Sequence, residues 1–141
     1  MATDFDIDLL NLHNQLREDP QFLIPHLEEL LEKFDEEKPR KLQWSTGPPQ
    51  MTHEGAAAVH DLIAELTDKK PVDSAFRFKW EPMMKRACKD HVIDQGPEGL
   101  TGHRGSDGTA PHQRMGRYGN VPLKSAENIV YGERTALEVL I

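Results

Sequence analysis

The stretch that most constrains this chain runs from Asp19-Pro20 through Leu23, Ile24, Leu27, Leu30, Leu31 and Phe34. Steps of three and four residues put these apolar side chains on one side of a helix. A stripe that wide must be buried against another apolar surface, so the fold has to supply one. Asp19 is a candidate cap, and Pro20 suits the first helical position, where the missing N–H costs nothing. Pro25 is close enough to the start to be tolerated. Glu28, Glu29, Glu32 and Lys33, then Asp35, Glu36 and Glu37, form the other face. No turn focuses these charges, so they read as a solvated face and not a cation site.

Other amphipathic segments supply the surfaces this stripe needs. Residues 6–19 read as a helix with Ile7, Leu9, Leu10, Leu12, His13 and Leu16 on a broad face, capped by Asp6 or Asp4. His13 is expected to be half-buried and satisfied by a backbone carbonyl. After a connector broken by Gly47-Pro48-Pro49, with Trp44 as a packed anchor, residues 54–66 read as a helix. Thr52 is its candidate cap, and Ala57, Ala58, Val59, Leu62, Ile63 and Leu66 are its stripe. His53 and His60, seven apart on one helical face, read as surface histidines. Phe76, Phe78 and Trp80 alternate, as a short strand or as an extended segment laying aromatics on the core. Glu81-Pro82 opens a helix to about Gln95 in which Met83, Met84, Ala87, Cys88, His91 and Val92 read as core. Cys88 is expected to be a small buried thiol, not a nucleophile. A short helix from Ala110-Pro111 to Tyr118 ends at Gly119, and residues 125–131 read as extended.

Composition narrows the function classes. The 141 residues suit one domain. A formal net charge of −7 argues against a general binder of nucleic acid or anionic membranes. No run approaches the ~18 apolar residues of a membrane span, and the acidic N-terminus has no apolar signal region. The single cysteine allows no internal disulfide, and a reducing, intracellular compartment is the simplest reading.

Chemistry concentrates in Gly102-His103-Arg104-Gly105-Ser106-Asp107-Gly108-Thr109 and, further on, Ser125-Ala126-Glu127-Asn128-Ile129. The glycines allow tight bends, and Ser106 and Asp107 can bond the local backbone. His103 and Glu127 are the candidate metal ligands, but one His and one Glu do not make a site, and on the residues alone the stretch reads first as a capped surface loop. Ser106 and Ser125 have no base or orienting group that the sequence identifies, so nucleophilic catalysis is not expected. A helix begins near Glu133 and runs to Ile141 with no closing cap, so the chain reads as cut in mid-pattern.

As an ordered set, these motifs resemble the CAP superfamily, the SCP-domain group of cysteine-rich secretory, antigen 5 and pathogenesis-related 1 proteins. The residues are Leu12-His13-Asn14-x-x-Arg17, Ala87-Cys88-x-x-His91, Gly102-His103-x-Gly105-Ser106-Asp107-Gly108, Arg114-x-x-x-Tyr118-Gly119 and Ala126-Glu127-Asn128-Ile129. The glycine loop is similar to the disulfide-free microbial and protist branch. The resemblance implies an α+β fold, an α-β-α sandwich with a small antiparallel sheet between helical layers. Residues 1–141 would be one such domain lacking its C-terminal strands, with 1–51 as N-terminal helices and connector and 52–141 as the core. It also implies a cleft of two histidines and two acids that holds zinc in some members. His103 and Glu127 stand for one of each; the second histidine lies in a strand that residues 1–141 do not include.

These readings lead to a non-enzymatic binding or scaffolding module completed by another chain. That partner would supply strands or cover Leu137, Val139, Leu140 and Ile141, which the incomplete sandwich would expose. The alternatives are a zinc-dependent hydrolase and a binder of small apolar ligands such as sterols or lipids. An extracellular location is what the resemblance alone implies.

Overall fold

The computed structural model describes residues 1–44, 47–121, 124–132 and 135–141. About half of the chain is helical, and the described residues include one two-stranded sheet, a mixed α and β composition. The chain forms two compact units, Asp8–Phe78 with Ala136–Ile141, and Met1–Ile7 with Lys79–Thr135.

The first unit is built on the leucine stripe. Helix α1 spans Asp4–Glu18 and contributes its later turns here. A short 3₁₀ turn, Pro20–Leu23, precedes α2, Ile24–Leu31. Asp19 makes no side-chain capping bond, so the proline alone starts the turn. Strands β1, Lys41–Leu42, and β2, Gln50–Met51, pair antiparallel, with Lys41 opposite Met51 and Leu42 opposite Gln50. Helix α3, Ala56–Thr67, packs on α2. Leu23, Leu27, Leu30, Leu42, Val59 and Leu66 are buried together, with Trp44 packed against them as the sequence predicts.

Several local readings change. The N-cap of α3 is Gly55, not Thr52, whose hydroxyl donates instead to the Arg40 carbonyl at 3.0 Å. Gly55 holds φ +73°, and a Cβ there would lie 2.3 Å from the Pro39 carbonyl oxygen, so only glycine fits. His53 therefore precedes the helix and does not share a face with His60. Phe76 and Phe78 enter no strand. The Asn14 side chain takes the place of a partner strand, with Oδ1 accepting from Phe78 N at 2.7 Å and Nδ2 donating to Phe78 O at 3.1 Å. Both rings stay exposed, and the Arg17 guanidinium lies 4.3 Å from the Phe78 ring centre. His13 Nδ1 meets the Leu9 carbonyl at 2.8 Å, as expected.

The C-terminal side chains are the largest correction. Helix α6 spans Ala136–Leu140, and the expected start at Glu133 and Arg134 lies outside the described residues. Leu137, Val139, Leu140 and Ile141 are half-buried, not exposed. Leu137, Leu140 and Ile141 pack on the leucine core of their own unit. The reading that left them bare assumed that they cover a central sheet; here they close the helical core instead.

In the second unit, Glu81 caps α4, Pro82–Gln95, by accepting from Met83 N. A 3₁₀ turn, Gly96–Glu98, follows, and α5 spans Pro111–Gly116. Lys85 bonds Asp6 and holds the opening residues to α4. The buried face of α4 is Ala87, His91 and Gln95, one residue per turn. Val92, read as core, is exposed, and so is Cys88. Among the described residues, 125–131 join no strand ladder.

Candidate functional site

The site is assembled around Gly102. Its φ of +97° is in the left-handed region, which favours glycine. Both of its peptide groups are held by side chains. Its N–H donates to the Tyr131 hydroxyl at 2.6 Å. Its carbonyl accepts from His91 Nε2 at 2.9 Å and from Gln95 Nε2 at 3.1 Å. Gln95 also donates to the Arg104 carbonyl at 3.0 Å, so α4 grips both ends of the His103 peptide segment. Further along, Asp94 receives the Ser106 backbone N–H at 2.7 Å together with the Ser106 hydroxyl. These bonds lower the Asp94 pKa below its usual value. Asp107 accepts from the hydroxyl and N–H of Thr109, and with Arg117 beside it its pKa falls to about 2.

Arg114, on α5, is the centre of charge. Its side chain is only 3% exposed. Nη1 donates to the carbonyls of His103 at 3.0 Å and Thr109 at 3.2 Å. Nη2 donates to both Glu127 oxygens, at 2.8 and 2.7 Å. His103 Nδ1 donates to Glu127 Oε1 at 3.1 Å. Burial pushes the Glu127 carboxyl up, but the Arg114 and His103 bonds outweigh it and leave the pKa lowered. Nearby, Tyr118 donates to Asp90 at 2.7 Å, which raises the Tyr118 pKa.

The structure thus brings His103 and Glu127 together, as read from sequence, but occupies them. Both carboxylate oxygens already accept from Arg114, and one His103 nitrogen is spent on the same carboxylate. Among the described residues no three His, Cys, Asp or Glu side chains are placed to share a metal. His103 and Glu127 are two donors, fewer than the three or four protein ligands that a zinc site takes. Cys88 is no nucleophile in waiting: crowding by protein atoms and the Glu127 charge push its thiol up, away from the thiolate.

Arg114, Gln95 and Tyr131 carry the network; the sequence reading had Arg114 only as part of the family motif and gave Gln95 and Tyr131 no role. The available signal was the four-residue step from Ala87 to His91 to Gln95, which sets a glutamine on the buried row.

Beside this network lies a cavity of about 420 Å³, lined by His91, Gln95, Leu100, Ile129, Val130 and Tyr131 among others. Comparison of the chain with family models, curated proteins and solved structures finds no match. Among the described residues no helix is long and apolar enough to cross a membrane.

Proposed function

We propose that this chain is a non-enzymatic binding module of the CAP superfamily. One observation carries the reading: Glu127, the acid of the candidate site, is tied by both oxygens to a buried arginine. A general base needs a pKa near the working pH, and the bonds from Arg114 and His103 hold this carboxyl below its ordinary value. The resemblance gains support from the way its scattered motifs meet. His91 bonds the glycine loop, Arg114 joins His103 to Glu127, and Tyr118 bonds Asp90 on α4. The family's sandwich and a reducing, intracellular setting belong to the same proposal.

Capture of a small apolar ligand is supported by the cavity, with Leu100, Val130 and Tyr131 exposed at its walls. Completion by a second chain is supported by residues 125–131, which have no ladder partner among the described residues. That segment, not α6, is the surface a partner strand would meet. The test is a zinc titration with an ester-hydrolysis assay on the full chain. The expected result is no turnover that zinc adds or chelation removes. Stoichiometric zinc with turnover abolished by His103→Ala would refute the reading.

A further inference from the structure

The second unit holds another hollow, of about 840 Å³, that the Arg114 network does not use. Four polar side chains line it: His112 on α5, then Asn120, Lys124 and Ser125 beyond that helix. Among the described residues the rest of its wall is Gly116, Gly119 and Val121. The four polar residues are exposed, so a ligand reaches them directly. The volume falls within the range of small-molecule sites.

The donors of this hollow are unspent. None of the four side chains has a hydrogen-bond or ion-pair partner among the described residues. No described residue accepts from the backbone N–H groups of Gly119, Asn120 or Val121 either. By contrast, Arg114 is tied to Glu127, and Arg117 reaches Asp107 at 3.1 Å. The charge of the wall is one-sided as well. No Asp or Glu among the described residues lines it, and the sequence between Val121 and Lys124, Pro122-Leu123, is uncharged. The second unit carries as many basic as acidic residues, so the net charge of −7 belongs to the other unit. A concave wall with a cation, several donors and no acid attracts an anion.

We propose that this hollow binds a small, soluble phosphate monoester, with Lys124 supplying the charge and His112, Asn120, Ser125 and the 119–121 backbone supplying hydrogen bonds to the phosphate oxygens. A phosphate monoester carries roughly −1.5 to −2 charge at neutral pH and three strong acceptor oxygens, more than a carboxylate offers. That suits a wall with this many free donors. Val121 is the apolar wall for the organic part of the molecule. The hollow shares no residue with the His103–Glu127 pair, so the proposal goes beyond the binding-module reading and does not depend on it.

Phenyl phosphate and benzoate test this, because they share a ring and differ in the anion. Nitrogen-15 spectra of the full chain should show saturable shifts from phenyl phosphate at residues 116, 119–121 and 125. Benzoate should bind about tenfold more weakly. Lys124→Gln should weaken phenyl phosphate by about tenfold. Lys89→Gln removes the same charge from an exposed position on α4 that does not line the hollow, and should change affinity by less than about twofold. A Cβ at Gly116 meets no atom within 4 Å, so Gly116→Glu puts an acid on the wall without a clash. It should weaken phenyl phosphate about tenfold more than Gly116→Gln, which matches it in size. Absence of saturable shifts would overturn the site. Equal affinity for the two probes would overturn the choice of phosphate. Equal losses in Lys124→Gln and Lys89→Gln, or in the two Gly116 variants, would reduce the binding to unlocalised charge attraction and overturn the site too. The chain should stay in solution when vesicles containing phosphatidic acid are sedimented; pelleting that phenyl phosphate reverses would overturn the soluble source in favour of a lipid headgroup.

Discussion

The two units are held together by different physics. In Asp8–Phe78 with Ala136–Ile141, burial falls on Leu23, Leu27, Leu30, Leu42, Val59 and Leu66. In Met1–Ile7 with Lys79–Thr135, the buried apolar residues among those described are Ala87 and Met115, in the same unit as buried His91, Gln95 and Arg114. The apolar unit gains stability from area removed from water, which is non-directional. The polar unit depends on directed bonds, each with a partner that cannot be lost cheaply. A polar core is a poor source of stability and a good way to fix loops in one geometry. The candidate site lies in that unit.

Substitutions can break the contrast. Leu27, fully buried, should respond as a core leucine: Leu27→Ala is expected to cost about 4 kcal/mol in urea unfolding. A loss below about 1 kcal/mol would mean that the leucine cluster does not carry its unit. Arg114→Met keeps the side-chain length but strands Glu127, at an expected cost of about 3 kcal/mol. Adding Glu127→Gln should restore part of it, and a double variant no better than the single one would argue against the pair as the link. Next comes Gly102→Ala. No atom obstructs the new methyl, so the cost is backbone strain at φ +97°, about 1–2 kcal/mol. An unchanged thermal midpoint would show that the loop relaxes freely.

Acid should produce the smallest effect. Asp107 has a pKa depressed from 3.8 to about 2. Its contribution to stability is complete above the ordinary aspartate pKa and fades as pH falls through about 2. Carbon-13 titration of the Asp107 carboxyl should find the low midpoint, and Thr109→Val should move it upward. A midpoint near 3.8 in the parent chain would remove the assigned bonds.

What could be read from sequence follows the same division. The apolar unit was legible because burial imposes a period, and Leu23, Leu27 and Leu30 announce it. The local partner of His13 was legible because a backbone carbonyl one turn back is always present. In the polar unit, periodicity misled: Val92 looked like core yet is exposed, and Gln95, given no place on the buried face, is buried. Hydrophobicity is a weak guide where the buried row is chosen by hydrogen-bond reach. Arg114 and Glu127 are separated in sequence by an unremarkable connection, and nothing local says that they meet. Leu137, Leu140 and Ile141 were recognised as apolar, but their target was misjudged because a sheet was assumed to lie beneath them.

The order of segments along the chain has its own consequence. The apolar unit takes residues 8–78 and then its last helix, while the polar unit takes residues 1–7 and 79–135. On a ribosome, the leucine cluster is therefore complete but for α6 when Phe78 emerges. The opening residues must wait, still unattached, until Lys85 appears to receive Asp6. A nascent chain halted before residue 79 should already protect Leu27 from proteases while its first seven residues remain open to cleavage.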